Sequence, residues 1–551
     1  MTTLPKLQTA VQLTGPDQLV LNTAKPVPQP NDWQILARVE AVGLCFSDLK
    51  LLKQFSAHGR KGPVAKGIEP AVLNEIPSYV PDEQPTVPGH ETVVRIVAVG
   101  KNVKHTSVGD RCLVQTDYRW LPTQGSCSAF GYNFEGALQQ YVLMDERVIT
   151  APDGRSMLIP ADDRLSAAAI ALVEPWACVE DAYAVKERRG FKPGGKMLIV
   201  ADPGVAVEAK GFSALFKKYG QPASVTLFGP KSVQTDAPVT VAASIADMPD
   251  NVFDDILYFG ADPAALETVF KKIANAGLLV IAQGGKTFGR PVETPIGRIH
   301  YGNIRIIGTS GHDPAEALDK IPAGGEIRKG DKINVIGAGG PMGVMHVVRN
   351  LCQGVPGVTV YGGDLDDNRL EALSKIARPL ARKNQVGYTP YNPSKNPPAQ
   401  AFDYIVLMAP VAKLVAQAVL DAAPAGRINI FAGIPASVFG PIDIDTYCRN
   451  NIYFIGTSGS TLDDMLAVLA KVQSGALDTN ISVAAVCGLH GAIEGIRAVE
   501  HHTIPGKIIV YPDSPLPLTP LENLNQQNPD AAAKLADGLW TKQAEQTLIK
   551  A

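Results

Sequence analysis

The sequence predicts an α/β protein in which a β-rich N-terminal domain precedes two tandem units of doubly wound parallel sheet. Three observations carry this prediction. Residues 1 to about 180 hold short β-type runs such as QILARVEAVGL, ETVVRIVAVG and GDRCLVQ, separated by Gly, Pro and Asp turns. From Lys196 onward, apolar strand-like runs alternate with helical patterns, as βαβ units on a parallel sheet do. That second region also repeats itself. FDDILYFGADPAALETVFKKIANAGLLVIAQGG from Phe253 matches FDYIVLMAPVAKLVAQAVLDAAPAGRINIFAGI from Phe402. GTSG begins at Gly308, after HYGNIRII, and again at Gly456, after CRNNIYFI. KPGGKMLIV and RKGDKINVI open the two copies.

These features place the β-rich domain at residues 1–185, a first dinucleotide-type unit at 186–325 and a second at 326–480. A return segment at 481–513 carries a helix, a turn and a strand, and a tail fills 514–551. The tail begins Pro-rich and ends in a capped helix whose Leu and Trp residues could dock on the body. Gln54 to Pro88 reads as a long loop, of the kind that is usually functional or mobile.

Composition bounds the function. A chain of 551 residues calls for several domains. A net charge of -3 makes no case for nucleic acid or an anionic membrane. No apolar run of about 18 residues implies a spanning helix, and MTTLPKLQTAVQLTG lacks a secretory signal. Seven scattered cysteines do not form a disulfide framework, so a reducing cytoplasm is the expectation.

The strongest phosphate-binding pattern is INVIGAGGPMG. The run Ile333 to Ile336 feeds into Gly337, Gly339, Gly340, Pro341, Met342 and Gly343, and VMHVVRNLC then starts a helix. Such a turn lets backbone approach a pyrophosphate, and the helix N-terminus supplies free N–H groups. The spacing is A-x-G-x-x-G from Ala338, or one residue longer from Gly337. Asp364 ends the next strand-like run, VTVYGGD, where an acid accepts hydrogen bonds from the adenosine ribose. This favours NAD over NADP, while Arg369 close by leaves NADP open. The first unit departs here. Its turn, IVADPGVAVEAKGF, keeps only Gly204, sets Asp202 where a phosphate would sit, and is followed by SVTLFGPK with no acid at its end. Either this unit has lost ordinary dinucleotide binding or it holds another ligand through different contacts.

Hydride removal from a carbinol needs a polarised oxygen and a lost proton, and a zinc ion serves both. Zinc takes Cys, His and carboxylate ligands with one position open. Cys45 in VGLCFSDLK, His90 and Glu91 in VPGHETV, and Glu174 in LVEPWACVED offer such a set.

G-L-C-F-S-D at Gly43 to Asp48, P-G-H-E at Pro88 to Glu91, V-G-D-R at Val108 to Arg111 and E-P at Glu174 occur in this order. In them the chain resembles the zinc-dependent medium-chain dehydrogenases, the alcohol and polyol dehydrogenase family. Glu174, in place of a cysteine, is the residue that sets it nearest the polyol, sugar and sugar-phosphate branch, such as sorbose-phosphate reductase-like proteins. The resemblance implies a GroES-like catalytic domain and two Rossmann-type units, of which the first is an insertion. It implies Cys45 and His90 as zinc ligands, Glu91 as a ligand or one exchanging with water, and Glu174 bound directly or through water. Ser47 would hydrogen-bond the substrate oxygen and start proton exit, and Asp48 would orient His90. Lys50 stands where many relatives have a relay histidine; it would relay protons, attract an anionic substrate, or simply be solvated.

Relatives often carry four clustered cysteines around a structural zinc. Here that stretch holds Cys127 alone, with Cys112 before it, so one zinc per chain is expected. Tyr118, Arg119 and Trp120 either shape the pocket or pack the lobe. Lys50, Lys53, Arg60, Lys61 and Lys66 would suit a phosphorylated or acidic sugar. Because relatives often pair dinucleotide domains across a dimer, the tandem units are expected to imitate that contact as one continuous sheet. The implied reaction is hydride transfer between NAD(H) and the secondary alcohol or ketone of a polyol, sugar or sugar phosphate. The rivals are a zinc-free quinone or enone reductase and a non-catalytic binding protein. A homo-oligomer stays open.

Overall fold

In the computed structural model, which describes residues 4–207, 211–457 and 459–550, the N-terminal β-runs resolve into one mixed sheet. Its order is Thr519–Pro520, Val483–Cys487, Lys507–Val510, Gln34–Gly43, Glu91–Val99, Arg111–Val114 and Leu158–Pro160, with Tyr141–Asp145 also paired to Gln34–Gly43. Gln34–Gly43 is buried along most of its length. The return strand Lys507–Val510 lies antiparallel to its end, with Ile509 opposite Gly43. That pairing brings a C-terminal residue, Lys507, beside the N-terminal residues that follow Gly43. The sheet belongs to a unit of residues 1–178 and 460–551; residues 179–459 form a second unit. The sequence drew these lines at 185 and 480. Helix Leu462–Gln473, capped by Thr461, goes with the first unit because Ser460 accepts from the Arg119 guanidinium (2.8 Å) and Asp463 pairs with Arg155 (2.7 Å).

The second unit holds two six-stranded sheets of the same order. One runs Val239–Val241, Ser224–Phe228, Lys196–Ala201, Phe253–Phe259, Ile273–Ala282, Arg305–Thr309. The other runs Gly387–Tyr391, Thr359–Gly363, Lys332–Ile336, Phe402–Leu407, Ala422–Ile430, Tyr453–Ile455. All these pairings are parallel. The copies share irregularities as well as order. Each slips register after the first residue of its fourth strand, at Phe253/Asp255 and Phe402/Tyr404. Each then puts an alanine in the left-handed region, Ala276 (φ 56°) and Ala425 (φ 59°), a conformation that costs an L-residue energy. Ser458 of the second GTSG and Glu208 to Lys210 of the first turn lie outside the described residues.

The expected continuous sheet is not formed. The edge strands Arg305–Thr309 and Tyr453–Ile455 share no backbone ladder; instead the Tyr447 hydroxyl donates to the Ile306 carbonyl (2.7 Å) and accepts from the Phe454 amide (3.1 Å). The copies are joined by a separate antiparallel pair, Val292–Thr294 with Gly440–Ile442, over a shared apolar core. A side chain thus occupies the place a ladder bond would need.

The tail docks on the first unit. Trp540 is buried, and its indole N–H donates to the Tyr511 hydroxyl (2.9 Å), which donates to Glu545 (2.8 Å). Glu545 accepts from the amides of Ala167 (2.5 Å) and Ala168 (2.8 Å) and so caps helix Ala167–Ala171, which leads into helix Val173–Ala184. We predict that Trp540→Ala destabilises this unit by about 3–5 kcal/mol, the usual cost of emptying a buried tryptophan site; calorimetry should show its unfolding midpoint lowered.

Candidate metal centre and cofactor cradle

The chain leaves the sheet at Gly43 and enters helix Phe46–Gln54 with Cys45 as its extended N-cap residue. Asp48, in the first turn, accepts from the Cys45 amide through one oxygen (3.0 Å) and lies 3.1 Å from His90 Nδ1 through the other. One buried carboxylate therefore orients both the thiol-bearing backbone and the imidazole. Burial opposes a charged His90, but the Asp48 carboxylate outweighs it and holds that imidazole well above its ordinary pKa. Glu91 opens the next strand, fully buried. Its Oε1 is paired with the Lys507 ammonium, which also donates to the Leu44 carbonyl (3.3 Å); its Oε2 has no partner among the described residues. A Cβ at Gly43 would collide with that Oε2, so only glycine leaves the carboxylate its space.

One ligand atom each from Cys45, His90 and Glu91 lies within 4.8 Å of the others, and this is the one such group of three or more among the described residues. Glu174 stands outside that group, buried in the first turn of helix Val173–Ala184, with the Cys178 thiol 3.9 Å away. Its environment is still that of the same site. Burial raises it to about 7, His90 and Lys507 pull it down, and Glu91 and Asp117 push it up. Ser47 is half-buried and Lys50 exposed.

Among the neighbours, Tyr132, His58 and Asp117 carried no sequence signal, while Arg60 was one of the basic residues read as substrate-facing. Tyr132 packs against His90 (centroids 5.9 Å apart) and His58 (5.1 Å). The Arg60 guanidinium lies over the Tyr132 ring (5.3 Å) and binds Asp117 through two contacts, 2.6 and 3.2 Å. Burial, then the charges of Arg60 and Lys50, lower His58 to about 4. Other basic residues read as substrate-facing are committed elsewhere. Lys53 pairs with Asp17 (2.8 Å) and Glu500 (2.6 Å), Lys61 is buried and donates to the Val80 and Gln84 carbonyls, and Lys66 is exposed. Tyr118 packs edge-on against Phe134 within the core, and Trp120 lies against it. Cys112 is buried and Cys127 half-buried, both as free thiols.

In the second unit Gly337 takes φ 85° directly after strand Lys332–Ile336, and its amide donates to the Gly363 carbonyl (2.8 Å). Helix Pro341–Cys352 begins at once, with Gly340 as N-cap and Pro341 in its first turn. Met342 is half-buried there, and Gly343 presses on the backbone of Gly337 and Ala338 with no room for a Cβ. Asp364 follows strand Thr359–Gly363; it accepts from the Gly339 amide (2.9 Å) and the Asp366 amide (3.0 Å), so it shapes the glycine turn as well as facing it. Arg369 is half-exposed, 3.9 Å from Asp366. These are the parts of a pyrophosphate cradle.

The first unit lacks them. Its strand ends at Ala201, and helix Phe212–Tyr219 follows a turn whose residues 208–210 lie outside the described ones. Asp202 is turned away from any phosphate position: it accepts from the Tyr258 hydroxyl (2.7 Å) and from the amides of Ala261 and Asp262 (both 2.8 Å).

Residues 31–153 match the alcohol dehydrogenase GroES-like domain family. The chain is 26% identical over 382 residues to the uncharacterized protein YggP of Escherichia coli (strain K12), spanning 61% of this chain and 82% of that one. It is 33% identical over 152 residues to L-sorbose 1-phosphate reductase of Klebsiella pneumoniae, 27% of this chain and 36% of that one. The crystal structure of 2R,3R-butanediol dehydrogenase from Bacillus subtilis shares the fold, with TM-score 0.54 at 16% identity, covering 92% of this chain and all of that one.

The carboxyl of Glu174, raised above its ordinary 4.5, gives a pH prediction with a defined sign. A group whose folded pKa is raised disfavours folding once the unfolded chain ionises, so its contribution to stability falls as pH climbs from about 4.5 through 7. We predict that, after chelation, Glu174→Gln melts like the parent at pH 5 but higher at pH 8; parallel melting profiles for the two proteins would contradict this.

Proposed function

We propose that this oxidoreductase of the alcohol and polyol dehydrogenase family transfers hydride between NAD(H) and the secondary carbinol or ketone of a polyol, sugar or sugar phosphate, with one zinc ion bound by Cys45, His90 and Glu91. The convergence of a thiol, an imidazole and an unpartnered carboxylate oxygen within 4.8 Å carries the reading. Glu174 would complete the set directly or through a water. When bound, the ion supplies Lewis-acid polarisation of the substrate oxygen.

The chain's own residues would do the rest. Asp48 accepts from His90 Nδ1–H and leaves Nε2 as the donor to the metal. Lys507 engages Glu91 Oε1 and leaves Oε2 free. Ser47 would hydrogen-bond the carbinol oxygen and start the proton's exit toward solvent; NAD, when bound, would supply the hydride acceptor. Asp364 would accept from the adenosine ribose hydroxyls, and the amides behind Gly340 would hold the pyrophosphate.

Arg60 and Arg119 both lie against Asp117, and Lys50 and Arg60 both act on His58 beside the Tyr132 ring, so this edge carries more cations than Asp117 balances. This excess of positive charge, together with the similarity to L-sorbose 1-phosphate reductase, favours a substrate that carries a phosphate. No described helix is long and apolar enough to cross a membrane.

Two predictions test this reading. Cys45→Ala should drop bound zinc from about one ion per chain to near zero and lower kcat/KM for the best polyol or sugar phosphate by at least about a thousandfold; metal analysis and NADH absorbance read the two effects, and a metal-free, fully active parent protein would reject the mechanism in favour of the zinc-free reductase. Asp364→Ser should shift the NAD-to-NADP ratio of kcat/KM toward NADP by about tenfold, the worth of roughly one charged hydrogen bond, measured with the two cofactors side by side.

A further inference from the structure

The stretch from Gln54 to Pro88, read as a long loop, is tied down near its start. The buried Lys61 ammonium donates to the Val80 and Gln84 carbonyls. The Thr123 hydroxyl donates to the Gly59 carbonyl (2.6 Å), and the Asn133 side-chain amide donates to the Gly62 carbonyl (3.0 Å). Residues 58–62 are thereby fixed from both sides, and with them His58 and Arg60.

His58 presents a donor. The Arg60 amide donates to its Nδ1 (3.2 Å), so in the neutral ring the proton sits on Nε2. Burial, then the charges of Arg60 and Lys50, lower this imidazole to about 4 and so keep it neutral at physiological pH. Its Nε2–H has no partner among the described residues. Lys50 follows Ser47 by one turn of helix Phe46–Gln54, is exposed, and forms no ion pair among the described residues. Its charge is nonetheless felt at His58. Arg60 spends two N–H groups on Asp117 and keeps the rest of its fork. Asp117 also lies 3.8 Å from Arg119, so one carboxylate serves two guanidiniums and Lys50 is left without a counter-charge. Tyr132 joins this cluster to the candidate metal centre, because His58 and His90 pack on the same ring.

We propose that Lys50, His58 and Arg60 form the subsite for the phosphate of the substrate, so that the enzyme acts on phosphomonoesters of polyols or ketoses in preference to the free sugars. The assignment rests on the hydride-transfer reading above for the rest of the substrate, and it makes Lys50 a binding residue in place of a proton relay. An ammonium, an imidazole N–H and a guanidinium on three separate side chains suit the three terminal oxygens of a phosphate and exceed what one carboxylate would use.

Carbethoxylation of His58 by diethyl pyrocarbonate, read by peptide mass spectrometry on the full-length protein, tests the site without recourse to activity. Inorganic phosphate, compared with chloride at equal ionic strength, should slow His58 at least about fivefold at saturation while the exposed His490 keeps its rate. Lys50→Met, at an exposed position, should abolish that protection, and Lys50→Arg should retain it. In turnover with the best polyol phosphate of a panel, Lys50→Met should raise KM about tenfold or more, the worth of one charge-assisted hydrogen bond, with the loss falling on KM and not on kcat. An unprotected His58, protection that survives in Lys50→Met, equal protection by acetate, or a loss confined to kcat would overturn the proposal. The two readings fail separately. Lys50-dependent protection in a protein without zinc or dehydrogenase activity would sink the catalytic reading alone, and an active zinc enzyme with an unprotected His58 would sink this one alone.

Discussion

A buried ion pair, Lys507 to Glu91, ties the two ends of the chain together at the candidate metal centre. Neither partner has another way to be satisfied. Glu91 is fully enclosed, and the ammonium of Lys507 meets only this carboxylate and one carbonyl. Breaking such a pair typically costs about 3–5 kcal/mol, because an uncompensated charge stays behind. The return strand must therefore dock against Gln34–Gly43 in the register that sets Ile509 opposite Gly43. The same register fixes where Leu44 and Cys45 leave the sheet. Gly43 is part of the constraint, since a side chain there would take the place of the free Glu91 oxygen. The cluster of thiol, imidazole and carboxylate is thus a product of strand pairing across most of the length of the chain.

The duplicated unit shows which features of a dinucleotide fold are architectural and which serve a ligand. Both copies keep the strand order, the register slip in the fourth strand and the left-handed alanine that follows it. A strained alanine retained in both copies belongs to the fold, because only the surrounding packing can hold a non-glycine residue in that region. They differ at the first turn, at the acid after the second strand, and between the second and third strands, where helix Asp367–Lys383 of the second copy has no counterpart in the first. The second copy spends glycines at the first turn so that helix and turn touch backbone to backbone. The first copy instead uses Asp202 to tie two strand ends together.

Much of this was legible in the sequence wherever a residue's role depends on local chain geometry. The glycine turn before Pro341, the repeated blocks and the P-G-H-E and G-L-C-F-S-D motifs are all local, and the residues they named cluster as described. Lys507 was not legible: it sits in an ordinary apolar run, GKIIVYP, and only strand pairing gives it a partner. The Arg60–Asp117 and Glu545–Ala167 contacts are equally non-local. The basic loop misled in part for the same reason, since Lys53 and Lys61 found partners that no spacing rule reveals. The expectation of a continuous sheet, drawn from the duplication and the analogy with a dimer, is not met, and Tyr447 bridges the two strand edges instead.

Electrostatics gives the candidate centre a preference of its own. Asp48, Glu91 and Glu174 crowd a buried space in which Lys507 is the one fixed cation nearby. Burial, with Glu91 and Asp117 adding to it, drives Glu174 toward its neutral form, and the Asp48 carboxylate, against burial, drives His90 toward its charged form. Each brings in positive charge, or removes negative charge, by binding a proton. A dication would do the same work without either proton, freeing the imidazole as a donor and restoring the carboxylate. Binding of an ion there should therefore be coupled to proton release. Packing alone gives no reason to gather Glu91 and Glu174 around one lysine beside a thiol and an imidazole, and this charge distribution supports the proposed metal site.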